Sequence, residues 1–220
     1  MIDISEEEQL WKLSKYPASF YRLFGFILNS YAGTFNSTKA VLQTFTYAVN
    51  DLWGKAKADN LAKICTVFFS ETNLTDDLNV TREINEFEQK ITLTFISGNI
   101  CNYLKAIEYD KETELFIPLF KPPFGTIALA KNQRKEFLTG IYLNHHRDEA
   151  SWIFYNNYHK MILAHQFMVD LAGEEDEIKV TSKFMTPNCH IITLNKDGEL
   201  WQEIESVIIK RGYQLTLKNI

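Results

Sequence analysis

The stretch Ile91-Thr92-Leu93-Thr94-Phe95, bounded by Gly98, alternates apolar and hydroxyl side chains with a period of two. Successive strand residues face opposite sides of a sheet, so this β-branched and aromatic run predicts a half-buried strand. Upstream the apolar spacing is different. Phe20, Tyr21, Leu23, Phe24, Phe26, Ile27, Leu28 and Tyr31 crowd a segment that opens after Pro17 and stops at Gly33, which predicts a helix apolar around most of its circumference. A capping box, Ser5-Glu-Glu-Glu8, predicts a helix before it. Ser37 is placed to cap a third helix carrying Val41, Leu42, Phe45, Ala48, Val49 and Trp53; Asn60 to Phe69 supplies a fourth, and a short helix is expected around Ile84 and Phe87. The period changes near residue 88, which divides the chain into a helical domain, 1–88, and an α+β domain, 89–220.

Downstream of that border, Tyr103 to Tyr109 and Leu115 to Phe120 flank Asp110-Lys-Glu-Thr113 as a hairpin, and Thr126 to Lys131 and Glu136 to Leu143 flank Asn132-Gln-Arg134 as another. Pro122-Pro123 joins the two. A long helix is expected from Asp148 or Ser151 to Gly173, with Phe154, Tyr158, Met161, His165 and Met168 along one face. Glu177 to Phe184 and His190 to Leu194 read as strands. A helix bearing Leu200, Trp201, Ile204, Val207 and Ile208 follows and closes at Gly212, and Tyr213 to Leu217 makes a last strand. The expected class is α+β: an N-terminal helical bundle, then an antiparallel sheet packed against a long helix, ending in a β-α-β unit. No internal repeat stands out.

With 220 residues, 45% of them apolar and 23% charged, the chain is long enough to bury a core without a disulfide or metal staple. The net charge is −5 and the acidic excess holds on both sides of residue 88, which argues against a general phosphate-backbone binder, so nucleic acid is an unlikely partner on this reading. Three widely spaced cysteines, Cys65, Cys101 and Cys189, and no apolar leader suit a reducing cytoplasm. The longest apolar run, Leu23 to Leu28, is far short of the roughly 20 residues that cross a bilayer, so no membrane span is expected. Phosphate-cradling glycine loops, G-x-S-x-G, H-E-x-x-H and C-x-x-C are absent from the sequence.

All five histidines lie between residues 145 and 190. His145, His146 and Asp148 end one predicted element, and Cys189 and His190 open another, which supplies the ligand types of a zinc or iron site. Paired histidines at a strand end are more often hydrogen-bonded structural residues, and His165 on an apolar face is more often core. Glu177-Ile-Lys179 has the acid, apolar, lysine order of metal-dependent nucleases, with Glu108, Asp110 and Glu114 as candidate second acids; a solvated hairpin explains those charges as well. Lys121, Lys131, Arg134 and Lys135 among Phe116, Phe120 and Phe124 could grip a single strand, although edge lysines account for them more simply.

The aromatic surplus of the first seventy residues leads the functional expectation. It points to a cytoplasmic, non-catalytic protein-interaction or assembly component that buries Phe20, Tyr21, Phe24, Phe26, Ile27 and Tyr31 against a protein partner or in a homo-oligomer, with no cofactor. The alternative is a metal-dependent hydrolase or oxygenase with its site at His145, His146, Asp148, Cys189 and His190.

Overall fold

The computed structural model describes residues 17–27, 39–48, 50–71, 78–96, 107–110, 115–118, 131–174, 176–183 and 187–215. In chain order they form α1 (Ala18–Ile27), β1 (Lys39–Ala48), α2 (Leu52–Glu71), β2 (Leu78–Ile84), β3 (Glu88–Ile96), β4 (Ile107–Asp110), β5 (Leu115–Pro118), α3 (Lys131–His145), β6 (His146–Asp148), β7 (Ser151–Tyr155), α4 (Tyr158–Leu171), β8 (Ile178–Lys183), β9 (Cys189–Leu194) and α5 (Glu199–Arg211). The class is α+β, as the change of period implies. The helix expected from the Ser5 capping box and the apolar residue Tyr31 lie outside the described residues.

Two units of one wiring emerge. The first runs α1, β1, α2, β2, β3 with strand order β1-β3-β2; the second runs α3, β6, β7, α4, β8, β9 with order β6-β7-β9-β8. Setting aside β6, each unit is a helix, a strand, a second helix and a hairpin whose last strand inserts beside the first, and every pairing is antiparallel. This repeat is structural and leaves only a short trace in sequence, a shared Gly-x-x-Leu-Asn at 25–29 and 140–144.

Those glycines explain how the units join. α1 and α3 make the most extensive contact between helices in the fold. A Cβ on Gly25 would lie 2.1 Å from the carbonyl oxygen of Phe137, and one on Gly140 would lie 2.0 Å from that of Arg22. Only a missing side chain at both positions lets the two backbones approach this closely. Around the crossing, Phe24 packs edge-on against Phe137, and Phe137 against Phe167. One core cluster takes in α1, α2, β3, α3, β7, α4, β9 and α5. The border at residue 88 opens β3, which pairs with both β1 and β2 from the segment before it.

Five expected elements differ. Residues 39–48 form β1, because Val41, Thr44, Phe45, Thr46 and Tyr47 suit a pleated surface and β3 offers it a register with a bulge between Val41 and Gln43. The short helix expected at Ile84 and Phe87 is the end of β2 and the turn into β3. The hairpin expected at 126–143 is α3, whose Phe137, Leu138, Ile141 and Tyr142 recur at helical spacing and are all fully buried. The long helix starts late. Ser151–Tyr155 is β7, and α4 begins after Asn157, whose side chain accepts from the Lys160 amide. β8, β9 and α5 match expectation, with α5 closed by Gly212 at φ 64°. Tyr213 to Leu215 carry no strand.

Candidate nucleic-acid interface

The aromatic helix is an internal element. Phe20, Tyr21, Phe24, Phe26 and Ile27 are each no more than 7% exposed within a single chain, because α2 and α3 cover faces that one amphipathic helix would leave open. The expected docking surface on α1 therefore does not exist among these five residues, and the apolar excess is consumed by the crossing.

At the C-terminal ends of the crossing helices the two units present polar groups to each other. The carbonyl of Phe26 accepts from the Asn144 amide at 2.7 Å and from the ammonium of Lys160 at 3.3 Å. A helix C-terminus carries partial negative charge and unpaired carbonyls, so donors here act as a cap. Lys160 is wholly buried, and burial, with Lys57 of α2 adding repulsion, holds its ammonium well below the usual lysine range. The next residue along, His145, donates from Nδ1 to the Ile153 carbonyl at 3.1 Å and stacks on Phe154. Burial pushes its imidazole well below the ordinary value, and Lys160 and Lys57 push it further. Lys57 itself lies over the Trp53 ring at 3.7 Å. The seam is amide, imidazole and ammonium.

A divalent cation requires oxygen ligands, chiefly carboxylates. The seam residues do not fit one. The sequence contains no Asp, Glu, His or Cys from Gln9 to Asn50, so the first unit contributes no acid from the segment that follows α1. Among the described residues no group of three His, Cys, Asp or Glu is disposed to hold a metal. The histidine ligands proposed from sequence have separate surroundings. His146 is buried against Tyr142 and Trp53, Asp148 is exposed on β6 beside Arg147 at 3.9 Å, and His190 meets Ser182 at 2.9 Å under the Tyr158 ring. Cys189 faces away from His190, with Ile153 and Ile191. Cys65 is buried in the main core, where its thiol is pushed up to about 12. Glu177 and Lys179 form an exposed ion pair at 3.2 Å. Glu108 and Asp110 lie on β4 in a separate two-stranded sheet, and Glu114 and residues 119–130 of the aromatic-lysine segment lie outside the described residues.

The faces of the two larger sheets turned away from the helices carry a different chemistry. On the first, Ile91 and Leu93 point to the core, which leaves Thr46, Asn79, Thr81, Lys90, Thr92 and Thr94 on the opposite side by alternation. On the second, Trp152, Phe154, Ile192 and Leu194 point inward, which leaves Lys179, Thr181 and Lys183 exposed along β8 beside the small Ile153, Cys189 and Ile191 cluster. These polar rows were not singled out as a surface by sequence reasoning. The paired Gly-x-x-Leu-Asn was the one signal that could have exposed the two-unit plan.

No protein-family model matches the chain, and no curated protein matches it. Solved structures do. The chain superimposes on mesophilic variants of the homing endonuclease I-DmoI with a TM-score of 0.51 at 9% identity, over 93% of this chain and 98% of that one. Its fold is similar to that of a homing endonuclease. I-DmoI in complex with DNA and calcium aligns with a TM-score of 0.50 at 10% identity, over 87% of this chain and 88% of that one. A variant of I-DmoI bound to its target DNA in the presence of manganese gives a TM-score of 0.50 at 10% identity, covering 90% and 94%. This likeness overturns two expectations, the assembly component and the exclusion of nucleic acid. Net charge is a sum over the whole surface and does not report what one sheet face presents. No described helix is long and apolar enough to cross a membrane.

Proposed function

We propose that this chain binds double-stranded DNA on the outward faces of its two larger sheets and holds it without metal-dependent cutting. The observation that carries the reading is the pairing of two like-wired sheets across a glycine-packed helix crossing, in a fold shared with proteins that have been seen on DNA. Two unlike units favour a target of two unlike halves. The acidic balance of the chain keeps sequence-independent affinity low, so discrimination rests on groups that meet base edges. The seam supports binding in place of cleavage, since Asn144, His145, Lys57 and Lys160 supply no carboxylate, the ligand type on which a dication for strand scission would draw. Buried free Cys65 and Cys189 suit a reducing compartment such as the cytoplasm.

The test is repeated selection of bound molecules from a random-sequence duplex pool, followed by gel shift of the enriched duplex with EDTA and with magnesium. Enrichment of one asymmetric site and equal affinity in both buffers support the reading. Failure to shift any duplex at low salt overturns it, and magnesium-dependent strand breaks in the enriched duplex overturn the non-cutting half.

A further inference from the structure

We infer that the end of α5 and the residues after it, 211–215, form a latch that ties the second unit to α1 and α2 of the first, holds the angle between the two sheets, and so sets the spacing of the two halves of the target duplex. The inference rests on the duplex-binding reading above.

Contacts run along the whole segment. Arg211 donates to Glu71 at 3.4 Å, the Gly212 carbonyl accepts from the Lys63 ammonium at 2.9 Å, and the Tyr213 hydroxyl accepts from Arg22 at 2.8 Å. Asn60 takes both backbone groups of Gln214: its Nδ2 donates to the carbonyl at 2.7 Å and its Oδ1 accepts from the amide at 2.8 Å. Gln214 belongs to no helix or strand, so this one side chain stands in for the neighbour that a ladder would provide. Asn60 and Tyr213 are buried, and Leu215 packs against the main core. Every one of these polar partners lies on α1 or α2, whereas α5 packs on α3 of the second unit.

The position of the latch gives it its role. Packed helices shift by sliding and turning on each other, and the glycine contact between α1 and α3 is backbone on backbone, with no side chain keyed between them at those two positions. The seam at Phe26 restrains the pair at its C-terminal ends, and the latch adds a tie to α2, outside the crossing pair. With both in place the two outward sheet faces keep one mutual angle. DNA rises about 3.4 Å and turns by roughly a tenth of a turn per base pair, so a rigid reader of two halves is sensitive to a single inserted pair.

The experiment measures affinity for the selected duplex and for the same duplex with one base pair inserted between its halves, using the full chain, Asn60→Ala and Lys63→Met. Loss of folded protein lowers both affinities by one factor and leaves their ratio alone, so the ratio reports geometry. The unaltered chain is expected to lose about tenfold or more on insertion, the scale of a misplaced base pair. Asn60→Ala is expected to reduce that penalty by about threefold or more, within the range over which one member of a network alters the coupling of two sites, and to speed hydrogen exchange at the Gln214 amide. Lys63→Met changes an exposed side chain and is expected to act in the same direction to a lesser degree, which keeps the test open should Asn60→Ala not fold. An unchanged ratio in both variants, unchanged exchange at Gln214, or an unaltered chain that tolerates the insertion overturns the latch while duplex binding stands. If the unaltered chain shifts no duplex, or shifts only RNA, the duplex-binding reading falls first.

Discussion

Gly25 and Gly140 occupy equivalent places on two crossing helices, each aimed at the carbonyl three residues before the other. The distances from a built Cβ to those oxygens, 2.1 Å to Phe137 and 2.0 Å to Arg22, are far inside contact, and both obstacles are backbone. A mid-helix glycine costs roughly 0.5–1 kcal/mol relative to alanine, so each helix is locally weakened in return for close approach. Gly140→Ala, which improves helix propensity, is therefore expected to destabilise the protein by about 3 kcal/mol, the upper range for overpacking. Gly25→Ala is expected to do the same. Urea denaturation measures both, and a rise in midpoint for either variant would show that the helices part without cost.

The same crossing holds an ionic network that reaches Tyr213, just beyond α5. Arg22 is fully buried, donates from Nε to Glu136 at 2.8 Å and from a second nitrogen to the same carboxylate, and gives its remaining arm to the Tyr213 hydroxyl at 2.8 Å. Removing one partner leaves a buried guanidinium without its counter-ion. Glu136→Gln is expected to cost about 3 kcal/mol, whereas Arg22→Met/Glu136→Gln together cost less than the sum of the single changes. A double-mutant cycle in denaturant gives the coupling. Strict additivity would mean that the pair is not energetically linked.

What the sequence disclosed follows from how local each signal is. The strand at Ile91 to Phe95, the β4 and β5 hairpin and the helix closed by Gly212 carry their own period or punctuation, and the structure has them. β1 carries spacing that also fits a helix, and β3 decides it through long-range pairing. α3 has few signals of its own beyond Phe137, Leu138, Ile141 and Tyr142, and it packs along α1, a partner distant in sequence. The aromatic surplus of α1 was visible, but its neighbours were not, so burial in a crossing looked the same as burial in a partner. The site was least legible. Lys57 and Lys160 are separated by 103 positions in the chain and meet only because two units fold back on one seam.

Lys160 sets a pH dependence of known sign. Its folded ammonium titrates well below the unfolded lysine value of about 10.4, so between those two points the unfolded chain binds more protons. Stability therefore rises as pH increases through that window and levels off above about 10.4, at no more than about 1.4 kcal/mol per pH unit. Lys160→Met retains most of the buried volume and has no proton to gain. The stability of the unaltered chain minus that of the variant should climb as pH is raised towards 10, measured by urea midpoints at several pH values. A difference that stays level would place the amine in contact with solvent or with an acid.

His145 should act in the acid direction. Its Nδ1–H donates to the Ile153 carbonyl and its ring is stacked on Phe154, while Lys160 and Lys57 oppose a second proton. The unfolded histidine takes that proton near pH 6.5 and the folded one does so only well below it. From about 6.5 downward the unfolded state is thus favoured by protonation, and stability falls with acid until the folded value is reached. His145→Gln loses the stacking and is less stable at pH 7.5, yet lacks this acid loss. The gap between the two proteins should narrow from pH 7.5 to 5.5, with His146 present in both and cancelling in the comparison. Were the gap to widen on acidification, the folded imidazole would have to be the more readily protonated form, which its two lysine neighbours and its burial argue against.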